Sequence, residues 1–220
     1  MIAEGRDGAV ATIRLDRAQK KNALSIELRD HVSDAFDRLA ADEDAKVVIL
    51  TGTGDVFSAG FDLKEFENRD DADHMARLWA SSDRFHTAVL ECPLPTIAAI
   101  NGPALAGGFD LAVMCDIRIA VPSVRFAHPE VLFGNVAYGP LRELIDGAAA
   151  RELVLTGRDV LADEALALGL NSQIVDASEL MTVANALAQT IARPSRELVM
   201  RGKAKILRYA GFAGAKTHDL

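Results

Sequence analysis

From Pro95 to Met114 the chain carries a single charged side chain, Asp110. The same apolar run is broken by Asn101, Gly102, Pro103, Gly107 and Gly108. A segment this apolar is buried either in lipid or in a protein core. Its contents argue against lipid, where a carboxylate and a Gly-Pro break are poorly tolerated on an exposed helix. It therefore reads as a buried strand over Pro95–Ile100, a glycine-rich turn over Asn101–Gly108 and a helix over Phe109–Cys115. An earlier stretch has the same grammar. Val47, Val48, Ile49 and Leu50 run without polar alternation, as in a strand covered on both faces, and Gly52 and Gly54 end it. Ser58-Ala59-Gly60-Phe61-Asp62-Leu63 then leads into a short polar stretch with helical tendency. Repetition of buried strand, glycine turn and helix start makes this an α/β chain.

The flanking segments fit that class. Val10, Ile13 and Leu15 follow Asp7-Gly8, a pattern that predicts a hairpin. Ser25 is placed to cap a helix with Ile26, Leu28, Val32, Phe36 and Leu39 along one face. Lys64–Asp73 reads as a mobile surface loop feeding a helix over Met75–Leu90, and Ile117–Val121 and Val124–Ala127 read as short strands. Beyond Asp146 the pattern is helical. Asp176 or Ser178 starts a helix with Leu180, Val183, Leu187 and Ile191 inward, Pro194 stops it, and Ser195 starts another. No low-complexity linker intervenes, so the last helices are expected to dock on the core or on another subunit.

At 220 residues the chain is sized for one domain, or one domain with a small appendage. Lys and Arg number 24 against 32 Asp and Glu, a net charge of −8. That balance argues against nucleic acid or an anionic membrane as the partner. Cys92 and Cys115 adjoin apolar segments and read as buried, reduced thiols. The opening MIAEGRDG has no signal-peptide pattern, so the protein reads as soluble and cytoplasmic.

Several familiar signatures fail. Gly52-x-Gly54 follows a strand, but Phe57 occupies the third glycine position of a dinucleotide fingerprint. Val56 occupies the first glycine position of a nucleophile elbow around Ser58. The five histidines lack metal-ligand spacing and read as surface or locally hydrogen-bonded residues, so no metal is expected. What remains is the pair of turns. Two helix starts can aim unpaired N–H groups at one point and hold the oxygen of a carbonyl on which charge develops. From the glycines alone, Gly60, Gly107 and Gly108 are equally well explained as permitting tight turns. Asp110 and Glu130 add to the first reading, because a carboxylate in apolar surroundings pairs with a base or does acid–base work. If the two lie together, one holds a proton near neutral pH. A salt bridge to Arg118 or Arg125 is the other explanation.

Six segments together resemble the crotonase, or enoyl-CoA hydratase/isomerase, superfamily. They are Lys21-Asn22-Ala23-Leu24, Phe57 to Leu63, Ile100 to Gly108, Met114 to Arg118, His128-Pro129-Glu130 and Ala165 to Leu170. The resemblance implies a crotonase-like spiral of ββα units over residues 1–160 and a C-terminal helical trimerisation region over 161–220. It places the oxyanion hole at the N–H groups of Phe61 and Gly107, and the catalytic carboxylates at Asp110 and Glu130. It lines the acyl-CoA site with Lys21, Ala23, Ala59, Gly60, Asp62, Leu63, Lys64, Gly108 and Pro129, with Lys20, Lys21 or Lys64 near the CoA phosphates. It implies no cofactor, coenzyme A being part of the substrate, and a homotrimer or a hexamer built as a dimer of trimers.

Three departures accompany the resemblance. Asp110 is one methylene shorter than the glutamate of a hydratase. The segment Gly134 to Leu141 lacks the usual P-G-x-G-G stretch, and the closing E-G-x-x-A-F-x-E-K-R-like helix is absent. The expected activity is hydration of a 2-enoyl-CoA, with Asp110 orienting water toward C3 and Glu130 acting at C2. The alternatives are enoyl- or dienoyl-CoA isomerisation by Glu130, the dienoyl branch being weakened by Tyr138 where a further acid is expected, and a non-catalytic acyl-CoA-binding subunit. Arg196, Arg201, Lys203, Lys205 and Arg208 read as a solvated helix face.

Overall fold

The computed structural model describes residues 1–132, 134, 136–211 and 216–219, with backbone alone at His218; Phe133 and Asn135 of the segment after Glu130 lie outside that set. The chain opens with a hairpin of β1 (Ile2–Asp7) and β2 (Val10–Leu15), antiparallel across Gly8, which takes the positive φ of +57° that the turn needs. Helix α1 (Ile26–Ala41) follows. Its first-turn N–H at Leu28 is capped by the Ser25 hydroxyl, as the sequence predicts. Then come β3 (Val47–Gly52), α2 (Ala72–Leu90), β4 (Thr96–Ile100), β5 (Ala104–Leu105), α3 (Gly107–Met114), β6 (Ile117–Ala120) and β7 (Arg125–Ala127). The remainder is α4 (Gly139–Leu144), α5 (Gly147–Thr156), β8 (Val160–Leu161), α6 (Ala162–Ala167), β9 (Gln173–Ile174), α7 (Leu180–Ile191) and α8 (Arg196–Ala210).

Six strands form one sheet in the order β1-β2-β3-β4-β6-β9, parallel except for the opening hairpin. A smaller sheet, β5-β7-β8, stands beside it. Every residue of β3 and β4 is buried, because both faces of the main sheet are covered. Val48, Leu50, Ala98 and Ile100 meet Leu28, Phe36, Phe85 and Val89 of α1 and α2 on one face. Val47, Ile49, Ile97, Ala99 and Ile119 meet Leu180, Ala184 and Ala188 of α7 on the other. The unbroken apolar runs in the sequence are thus the signature of a two-sided parallel sheet.

Several sequence expectations change. The Lys64–Asp73 segment is not a free loop. Leu63–Phe66 makes a 3₁₀ turn, and both Glu65 carboxylate oxygens accept the Ile26 N–H at the start of α1. Helix α2 starts at Ala72, before Met75, because the Asp71 carboxylate caps Asp73 and His74. The two-residue strands β5, β8 and β9 are too short to leave a periodic trace.

The basic stretch of α8 is only partly solvated. Lys203 is buried and its ammonium pairs with Asp116, whose carboxylate also accepts from the Thr96 N–H and hydroxyl at the start of β4. Arg196 donates to the carbonyls of Ala40, in the last turn of α1, and of Ala45 just after it. These bonds seat α8 on the core. Removing one partner of a buried pair strands the other charge, so Lys203→Ala is expected to destabilise by about 3 kcal/mol. The exposed Lys205→Ala should stay within about 0.5 kcal/mol of the parent. Denaturant midpoints of the two variants check this.

Candidate active site

The two glycine turns expected from the sequence lie against each other. The Leu105 N–H donates to Ser58 O (2.9 Å), Phe57 N–H donates to Pro103 O (3.0 Å), and Ser58 bridges Ala104 as in a parallel strand pair. Close approach accounts for the glycines. A Cβ on Gly108 would sit 2.4 Å from Ser58 O. One on Gly60, whose φ is +85°, would sit 2.7 Å from Ala106 Cβ and 3.0 Å from Gly107 N. Ala106 itself takes φ +52°, unusual for a residue with a side chain, where the chain bends into α3. Gly107 is the first residue of α3, so its N–H has no partner inside the helix. Among the described residues no acceptor is recorded for it or for the Phe61 N–H.

A third strip completes the rim. Lys21 and Asn22 both adopt left-handed backbone, with φ of 52° and 51°. The buried Asn22 side chain bonds Arg17 N–H, Thr53 O and Val56 O. Ala59 N–H then reaches Lys21 O, Leu24 N–H reaches Gly60 O, and the Ser58 hydroxyl donates to Asn22 O. Lys21 and Ala23 are thereby tied beside Ala59–Phe61. Asp62 is held by Arg17 at 2.7 Å and caps Lys64 N–H.

These turns border a cleft of ≈ 500 Å³. Ala59, Phe61, Leu63, Gly107, Asp110, Pro129 and Glu130 line it, all named by the sequence. Gly60 and Gly108 lie behind it as close-packing positions, and Lys21, Ala23, Asp62 and Lys64 are outside its lining. The sequence did not single out Phe66, Arg69, Met75, Trp79, His86, Ala137 and Thr217, which also line it. Phe66, Met75 and Trp79 come from the segment read as a loop and from α2, so their arrival depends on how α2 crosses the turns. A larger hollow by Glu4, Arg6, Arg38 and Asp42 is shallow, and its charges pair with one another (Arg6–Asp42 2.7 Å, Arg38–Glu4 2.6 Å).

At the cleft's inner end Asp110, from the first turn of α3, meets Glu130, from the 3₁₀ turn Pro129–Leu132. The salt bridges to Arg118 or Arg125 do not form. Arg118 donates to the carbonyls of Leu170, Cys115 and Asp116, and Arg125 pairs with Asp159. The partner is His128 instead, 1% exposed and stacked on Phe109 with ring centroids 4.6 Å apart. Its Nδ1 lies 3.2 Å from Glu130 Oε1 and 3.7 Å from Asp110 Oδ1. The reading of the histidines as surface or local residues is thus corrected for two of them. His128 joins the carboxylates, and His86 is buried with its Nδ1 on Thr217 Oγ1 (3.0 Å). The apolar setting of His128, between Phe126-Ala127 and Pro129, was the available signal.

Burial dominates the electrostatics of this cluster. It pushes Asp110 up to about 7, the Glu130 charge adding to the rise and His128 opposing it. For His128 burial acts downward, but the Glu130 hydrogen bond and the Asp110 charge outweigh it and hold the imidazole above its ordinary value. Burial, with Arg29 nearby, brings His86 down to about 4, so it is neutral. Asp110 Oδ1, His128 Nε2 and Glu130 Oε2 are buried without a hydrogen-bond partner among the described residues. Each such atom costs about 1–3 kcal/mol, and here three of them fall in one cluster. One donor atom from each of the three side chains falls within 4.8 Å of the others, close enough to converge on a cation as well. The Nδ1–Oε1 separation of 3.2 Å is also within hydrogen-bond distance.

The chain is thus an α/β protein with a two-sided sheet and two buried carboxylates on one cleft. The comparisons with known proteins identify the family: the enoyl-CoA hydratase/isomerase model matches residues 5–211, and the chain belongs to that family. The Mycobacterium bovis protein named "Probable enoyl-CoA hydratase echA8" is 37% identical over 209 residues, covering 92% of this chain and 79% of that one. The crystal structure of an enoyl-CoA hydratase/isomerase from Xanthobacter autotrophicus Py2 superposes with a TM-score of 0.89 at 33% identity, covering 97% and 81% of the two chains. The enoyl-CoA hydratase from Bacillus anthracis gives 0.87 at 30% identity, covering 97% and 90%. The crotonase-like fold read from the sequence is therefore the fold of the protein. No helix among the described residues is long and apolar enough to cross a membrane.

The raised values at Asp110 and His128 mean that the native state binds protons more tightly than the unfolded chain. Their contribution to stability is thus greatest at low pH and is lost as pH rises through the native values, near 7 for Asp110. Asp110→Asn should therefore gain stability relative to the parent as pH goes from 5 to 8. The gain at pH 8 is expected to be on the order of 2 kcal/mol. Paired denaturation curves at the two pH values measure it.

Proposed function

We propose that the protein hydrates 2-enoyl thioesters of coenzyme A. The observation that supports this reading is the convergence of Asp110 and Glu130 on the cleft bordered by the Phe61 and Gly107 turns. The thioester oxygen would accept hydrogen bonds from the Phe61 and Gly107 N–H groups, which would hold the negative charge of the enolate. Water held by Asp110 and Glu130 adds its hydroxyl to C3 as its O–H bond breaks, and Glu130 takes that proton and passes it to C2. The acyl chain fits the apolar wall of Phe66, Met75 and Trp79. Coenzyme A would run past Lys21, Ala23, Gly60, Asp62 and Lys64, and the acid–base pair needs no other cofactor. Homotrimers, alone or paired into hexamers, are the proposed assembly, built on the helices after residue 160.

A second reading draws on the raised Asp110 value. A carboxyl that holds its proton up to about pH 7 is not free to act as a base below that pH. Glu130 alone can carry a proton from C2 to C4 of a 3-enoyl-CoA, which is isomerisation.

With crotonyl-CoA, loss of the enoyl-thioester absorbance should be seen for the parent protein. It should fall about 1,000-fold in Glu130→Gln, the scale of a lost general acid–base. Conversion of a 3-enoyl-CoA without hydration would select the isomerase. Stabilisation by coenzyme A without turnover of either would select a binding subunit.

A further inference from the structure

Two carboxylates buried side by side repel each other, and in a two-acid centre one of them ordinarily answers by keeping a proton. Here a third ionisable group has been built between them. Phe109 stacks on the face of the His128 ring, while the residue's backbone is held by the Val131 N–H on its carbonyl (3.1 Å) and by Pro129 after it. Gly157 packs so closely on this backbone that a Cβ there would meet the His128 carbonyl oxygen at 2.5 Å. The buried imidazole places Nδ1 3.2 Å from Glu130 Oε1 and 3.7 Å from Asp110 Oδ1. The charged groups acting on it are Asp110, from α3, and Glu130, from the turn that follows it. It does not line the cleft, so it is out of the substrate's reach.

We propose that His128 is a positioning residue of the acid–base centre: its Nδ1–H holds the Glu130 carboxylate in place and its positive charge faces both Glu130 and Asp110. The inference rests on the reading of Glu130 as the acid–base group. A hydrogen bond to one carboxylate oxygen leaves the other, Oε2, pointing free as the working atom, and Oε2 is the one without a partner. The same cation lies 3.7 Å from Asp110 Oδ1, so the two carboxylates share one counter-charge. The arrangement is a carboxylate–imidazole–carboxylate unit, in which only the two ends meet the substrate.

Three readouts separate this from a packing role. In ¹⁵N NMR, the His128 ring of the parent protein should remain protonated to a higher pH than free histidine, and Glu130→Gln should lower its midpoint by a unit or more. This readout needs no turnover, so it tests the proposal even if the hydratase and isomerase readings both fail. In kinetics, His128→Leu should lower kcat by 100-fold or more with KM within threefold, and move the acid limb of the pH–rate profile upward. His128→Asn keeps a donor near the Nδ1 position but no charge. It should recover at least tenfold of the lost kcat while leaving the limb displaced, and it stands in if the leucine variant does not fold. A neutral His128 at pH 7, or variants with the parent's acid limb and kcat within threefold, would overturn the proposal. So would a stoichiometric divalent metal in the purified protein that His128→Leu removes.

Discussion

The cleft depends on how closely the chain leaving β3 and the chain leaving β4 can approach. At Gly108 the separation is so small that a methyl group would collide with the Ser58 carbonyl. Hydrogen bonds from Leu105 and Phe57 lock that approach, and the left-handed Lys21–Asn22 turn locks a third strip to the first two. Backbone donors are directional but weak individually. Two of them serve one oxygen only if their turns are held rigid, so the small residues and the stitching act on the same constraint.

Behind these turns the fold pays for buried charge in two ways. Where charge serves structure, it is saturated. Arg29, fully buried over the Phe61 ring at 4.4 Å, bonds the Leu24 and Leu78 carbonyls and Ser81. Arg118 is spread over carbonyls around α3, and Lys203 answers Asp116. Around Asp110, His128 and Glu130 the saturation stops, and three polar atoms remain open. The contrast within one core separates groups that stabilise the fold from groups left available for chemistry.

A cleft wall also comes from α2, which starts at the Asp71 cap and runs past the turns to Leu90. Its Met75 and Trp79 face the same space as Phe61 and Leu63, while Glu65, just before it, caps α1. One segment therefore joins the first helix, the second helix and the rim. Its chemistry, charged and irregular along the chain, gives no hint of that duty.

Much was legible in one dimension. The twin apolar runs, the glycines after them and the carboxylates at Asp110 and Glu130 already pointed to strands covered on both faces, two glycine turns and carboxylates in apolar surroundings. Such features depend on residues near in sequence and on the cost of burying charge, which is local chemistry. The fit of Lys203 to Asp116 and the arrival of Trp79 at the cleft were settled in three dimensions. So was the seating of His128 between two carboxylates, one two residues along the chain and the other on a separate helix. These pairings turn on where distant elements cross, and a side chain's neighbours there are set by packing, which no spacing along the chain encodes.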